Sequence, residues 1–97
     1  MARYIVLLNW TDQGIRGAKD TVKRASAGRQ AFESLGVKMR ELYWTVGQYD
    51  MVASIDAPDD EAVTKACLAL GMQGNVRTTT LRAFDDQEME RILKEIP

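Results

Sequence analysis

The sequence predicts an α+β fold of the ferredoxin-like type: a four-stranded antiparallel sheet built in the order β-α-β-β-α-β, followed by a C-terminal helix. Three observations carry this. Segments with strand chemistry alternate with segments of helical spacing in that order, and Gly, Pro or Asp marks most of the changes. The chain has 97 residues, of which 45% are hydrophobic and 28% charged, so it reads as one globular domain spanning 1–97 and is too apolar to be disordered. The first strand is apolar on both of its alternating sets, so both faces of the sheet need cover.

Residues 3–9 are β-branched, aromatic and aliphatic, with Tyr4, Val6 and Leu8 on one set and Ile5 and Leu7 on the other. Thr11 and Asp12 are helix-cap residues, and Ile15, Ala18, Val22, Ala25, Phe32 and Leu35 then keep a three-to-four spacing, interrupted at Arg29. Gly14 and Gly17 each weaken the first turns by roughly 1 kcal/mol relative to alanine. A short turn near 11–17 and a main helix from about Asp20 to Leu35, stopped by Gly36, are therefore expected.

Val37 to Thr45 and Tyr49 to Asp56 read as two strands joined at Gly47-Gln48 in a hairpin. A two-residue loop sets Thr45 opposite Asp50, Trp44 opposite Met51, Tyr43 opposite Val52, Leu42 opposite Ala53 and Glu41 opposite Ser54. One face is then Leu42, Trp44, Met51, Ala53 and Ile55, which is core; the other is Glu41, Tyr43, Thr45, Asp50, Val52 and Ser54, which is mixed. Ala57-Pro58-Asp59-Asp60-Glu61 opens the next helix, with proline in the first turn and acids at the positive end of the dipole. Its stripe is Ala62, Val63, Ala66, Cys67 and Leu70, and Gly71 or Gly74 ends it. Asn75 to Ala83 is a threonine-rich fourth strand, and Asp85-Asp86 caps a last helix with Met89, Ile92, Leu93 and Ile96 on one side.

Two helices and the C-terminal tail are expected to cover one sheet face. A domain of this size buries only about 60 to 65% of its unfolded surface, so a second copy is the expected cover for the other face, through a C2 interface that leaves a slot with polar groups. A homo-oligomer, dimer or higher, follows.

Composition excludes several mechanisms. The net charge of -1 argues against nucleic acid as a partner, which needs a concentrated basic surface. There is no histidine, so a Ser/His/Asp triad, a Cys/His pair, His-ligated haem and nearly all catalytic zinc sites are impossible within this chain. One cysteine, Cys67, permits no internal disulfide. The N-terminal apolar run is too short for a signal peptide or membrane helix, so a cytoplasmic protein without membrane contact is expected. Asp59-Asp60-Glu61 and Asp85-Asp86 are explained as helix N-termini rather than metal ligands, and no cofactor is called for.

Gly47-Gln48-Tyr49-Asp50 carries a G-x-Y-D pattern. With Leu8 to Ile15, Ala57 to Glu61 and Gly74 to Leu81, it closely resembles the GYD domain family across essentially the whole chain. The resemblance implies a bacterial or archaeal protein similar to the dimeric α+β barrel superfamily, and no established activity. Thr21-Val22 stands where members often have Ser-Pro. From Gly47 to Leu81 the chain also looks like the ligand-binding half of the Lrp/AsnC regulators, which implies a small effector held between subunits; no helix-turn-helix precedes it. Monooxygenases and isomerases of the superfamily resemble it in fold only.

Candidate ligand-binding residues are Asn9, Trp10, Glu41, Tyr43, Asp50, Arg77, Thr78 and Thr80. Asp50 opens a buried strand and must find donors, either as a turn cap or as an acceptor for a ligand amine or proton. Glu41 and Tyr43 share its face, and such a cluster can raise a carboxyl pKa enough for acid/base work. Asn9 and Trp10 end the first strand at the mouth of the slot, where they can stack on and hydrogen-bond a planar molecule; the plainer reading of Trp10 is a packing anchor. Arg77, Thr78, Thr79 and Thr80 can hold a carboxylate or phosphate, or are simply strand formers. Trp44 and Cys67 read as packing residues. A small-molecule binding or sensing module ranks first, a cofactor-independent isomerase or monooxygenase second, and a structural oligomerisation subunit third.

Overall fold

The computed structural model describes residues 1–97. Its elements are β1 (Ala2–Trp10), α1 (Asp12–Arg16), a 3-10 turn (Ala18–Asp20), α2 (Thr21–Ser34), β2 (Lys38–Trp44), β3 (Met51–Ala57), α3 (Asp60–Met72), β4 (Val76–Ala83) and α4 (Asp86–Lys94). The four strands form one antiparallel sheet in the order β2-β3-β1-β4, the ferredoxin-like arrangement expected from the sequence.

The helix starts are set by side-chain caps. The Thr11 hydroxyl accepts from the Gly14 N–H at 3.0 Å, and Asp59 accepts from the Ala62 N–H at 2.9 Å. Pro58 therefore lies just outside α3 rather than in its first turn, because the cap falls on Asp59. Asp85 and Glu88 form a reciprocal capping box that starts α4. Gly14 is required sterically: a Cβ there would sit 1.9 Å from the Asn75 carbonyl oxygen, where α1 packs against the approach to β4.

Hairpin pairing runs from Trp44 opposite Met51 to Glu41 opposite Ser54, the register expected from parity. The Thr45 N–H closes the turn on the Asp50 carbonyl at 2.8 Å. Beyond Glu41 the strand departs from regularity, since Arg40 bulges out and Met39 then faces Ile55. The hydrophobic core lies on one side of the sheet, where Tyr4, Val6 and Leu8 of β1 and Met51, Ala53 and Ile55 of β3 meet Phe32 of α2 and Val63 and Ala66 of α3.

The C-terminal helix does not join that layer. Met89, Ile92, Leu93 and Ile96 are all exposed, and α4 has no extensive packing against another element, an Arg82–Glu88 ion pair at 3.6 Å linking it to β4. Helices α2 and α3 already occupy the covered face, over β2 and β4 respectively, so the tail's apolar stripe has no room left there. The radius of gyration is 14.6 Å, against about 12.5 Å for a compact chain of this length, and the long axis reaches 52 Å.

Candidate functional site

The sheet face turned away from α2 and α3 carries Arg3, Ile5, Leu7 and Asn9 from β1, and Val52, Ser54 and Asp56 from β3. Glu41 and Tyr43 of β2 and Arg77, Thr79 and Leu81 of β4 complete it. Its centre is apolar: Ile5 pairs with Leu81 and Leu7 with Val52, and none of these four side chains is fully buried. Hydrophobic surface left half-exposed at the middle of a sheet calls for a partner.

Outside Arg77 and Thr79 of the edge strand β4, the polar groups around that centre are pre-paired. Arg3 engages both carboxylate oxygens of Asp56, and the bulged Arg40 adds a bond at 3.1 Å. The Arg3 hydrogen bond holds the Asp56 carboxyl below its usual range, outweighing the burial that pushes it up; the same contact raises Arg3. Glu41 accepts from the Tyr43 hydroxyl and the Ser54 hydroxyl, each at 3.1 Å. Donating to Glu41 raises the Tyr43 pKa. Arg3, Arg40, Ser54 and Asp56 were not singled out from the sequence; strand parity put Ser54 on this face, but the bulge that delivers Arg40 left no sequence signal.

The three-residue cluster expected around Asp50 does not assemble. Glu41 faces Ser54, four residues along β3 from Asp50, which places the two acids about 13 Å apart. Asp50 instead accepts from the Trp10 backbone N–H at 2.9 Å, while its own N–H donates to the Leu8 carbonyl at 2.9 Å. Asn9 donates to the Gln48 carbonyl at 2.8 Å. Together these bonds tie the hairpin loop to the end of β1, so the G-x-Y-D segment is a clamp between two strands.

Parity separates the remaining candidates. Trp10 shares the set of Tyr4, Val6 and Leu8 and so lines the helix side, not the open face where a slot mouth was expected. Thr78 and Thr80 also lie on the helix side; with Arg77 at the sheet edge they line a shallow groove of about 310 Å³ between α3 and β4. Cys67 is half-buried in that groove, 3.5 Å from the Thr80 hydroxyl. Trp44 is 41% exposed rather than packed away, and its indole N–H donates to Thr21 at 3.0 Å. No three His, Cys, Asp or Glu side chains converge as a metal site, and no helix is long and apolar enough to cross a membrane.

The family model described as the GYD domain matches residues 4–93. A Thermus thermophilus protein is 33% identical over 95 residues, covering 97% of this chain and all of the relative; it is named glutamine synthetase and cystathionine beta-lyase binding protein. The crystal structure of a Thermus thermophilus protein shares 28% identity at a TM-score of 0.56, over 88% of this chain and 95% of that one. The crystal structure of MtbAldR superimposes at a TM-score of 0.68 with 12% identity, over 88% of this chain and 52% of the other, a likeness of fold alone.

Proposed function

This chain belongs to the GYD domain family, and we propose that it works as a binding module: two copies pair through the open sheet faces, and the assembly presents α4 to a partner protein. The observation that carries this is the open face itself, an apolar centre of Ile5, Leu7, Val52 and Leu81 flanked on the β2–β3 side by side chains already paired with one another. Pre-paired ions need less desolvation when a second sheet arrives than lone charges would. Four strands about 4.8 Å apart and about 23 Å long give a flat footprint of roughly 450 Å² per copy, or about 900 Å² for the pair, which side-chain relief must raise past the roughly 1,000 Å² at which specific interfaces begin.

With the sheet face occupied, the stripe of Met89, Ile92, Leu93 and Ile96 remains for a partner, which would take it as an amphipathic helix laid into a groove. The name of the Thermus thermophilus relative supports an enzyme of amino-acid metabolism as that partner. The commitment of Asp50 to the Trp10 N–H favours binding over acid/base catalysis.

The test pairs light scattering with surface binding to purified glutamine synthetase. Leu7→Lys is expected to yield a monomer, whereas Leu93→Glu is expected to keep the dimer and lose the enzyme. A monomeric wild-type protein, or a Leu93→Glu variant that still binds, overturns the assignment. A second reading keeps a small polar ligand in the slot between paired sheets; the Glu41–Tyr43–Ser54 hydrogen-bonded patch favours it. Native mass spectrometry of the gently purified oligomer would report such a ligand as a discrete extra mass.

A further inference from the structure

We propose that the cavity between the sheet and α2, on the side opposite the surface assigned above, is a second binding site that takes a short aliphatic carboxylate. The cavity has a volume of about 60 Å³ and an apolar lining that includes Val6, Leu8, Phe32 and Leu70. Thr21, Gln73 and Asn75 also reach the lining, and two further polar groups set its chemistry. The Trp10 Nε1–H is buried and makes no hydrogen bond within the protein. Arg24 lines the same cavity and spends two of its guanidinium N–H groups on the Gly17 and Gly14 carbonyls, at 2.6 and 3.0 Å, leaving the others free.

The ligand chemistry follows from these groups. A buried indole N–H without an acceptor is costly, and the cavity Trp10 lines is the room from which an acceptor can be supplied. A guanidinium on the lining of the same cavity selects an anionic acceptor, and the planar carboxylate matches its fork. The apolar walls select a hydrocarbon tail, and the volume admits about four to six non-hydrogen atoms. A larger acid or a phosphate ester would not fit without moving α2.

The chain has two tryptophans, so its ¹H–¹⁵N spectrum has two indole peaks, which the Trp10→Phe variant assigns. Titration with sodium isobutyrate is expected to move the Trp10 peak saturably, with a Kd of about 1–10 mM for so small a ligand. Isobutanol, which keeps the branched tail but lacks the charged carboxylate, is expected to bind at least about tenfold more weakly. Gly28 lies in α2 on the cavity wall, and an added Cβ there would meet Leu70 Cδ1 at an ordinary 3.7 Å. Gly28→Leu, which also improves helix propensity, is expected to abolish the isobutyrate response while the thermal unfolding curve holds. Tyr43→Phe on the open face is expected to leave the titration unchanged, which keeps this site distinguishable from the sheet-face reading. A Trp10 peak that drifts without saturating would mean that water alone satisfies the indole, and equal binding of isobutanol would mean that Arg24 plays no part; either result overturns the proposal.

Discussion

Replacing Asp50 tests whether the G-x-Y-D segment is a clamp or a reactive centre. Its carboxylate accepts one bond, from the Trp10 backbone N–H at 2.9 Å, in a half-buried position at the end of β1. Asp50→Ala removes that charge-assisted acceptor and leaves the Trp10 N–H without its partner, while the two backbone bonds of residue 50, to Leu8 and Thr45, persist. The loss is about 2 kcal/mol, which lowers the melting temperature by about 8–16 °C for a domain of this length. Asp50→Asn keeps an acceptor of the same shape without the charge, so about half of that loss is expected. Circular dichroism melts of the three proteins, at matched concentration because association shifts the midpoint, give the comparison directly. An Asp50→Ala protein that melts with the wild type would refute the clamp, as would an Asn variant as unstable as the alanine one.

Gly14→Ala places a methyl 1.9 Å from the Asn75 carbonyl, so α1 and the start of β4 must part by more than about 1 Å, losing the Thr11–Asn75 backbone bond. After the small gain in helix propensity the net loss is about 2–3 kcal/mol, read as a fall of about 10–20 °C in melting temperature. Asp56 is depressed by Arg3, so its contribution is present above the ordinary carboxylate pKa of about 4 and is lost as pH falls through the lower folded value. Asp56→Asn should therefore flatten the acid side of a stability-against-pH curve, measured by urea unfolding. Tyr4 is raised by donating to Asp60, so the stability it contributes holds below about pH 10 and declines as pH rises through the higher folded value. Tyr4→Phe should remove that alkaline decline.

The sequence by itself determined the four strands, the three longer helices and the hairpin register. These depend on local chemistry: the caps Thr11 and Asp85, the three-to-four spacing of α2 and α3, and the short turn at Gly47-Gln48, which together with two-residue alternation sets the pairing of Glu41 to Trp44. The same alternation placed Glu41, Tyr43 and Ser54 on the uncovered face. The sequence also carried the G-x-Y-D pattern and the family to which it points. Only the tertiary structure decided what Asp50 does, because its partner is a backbone N–H forty residues away, and a main-chain donor has no signature in sequence. The bulge at Arg40, which completes the Asp56 ion pairs, and the isolation of α4 were likewise decided by packing: a capped amphipathic helix shows in sequence that it has an apolar stripe, but not whether α2 and α3 have left any surface for it. The helix-side cavity depends on how side chains from β1, α2 and α3 fill the same space, a sum over distant residues that no local pattern encodes.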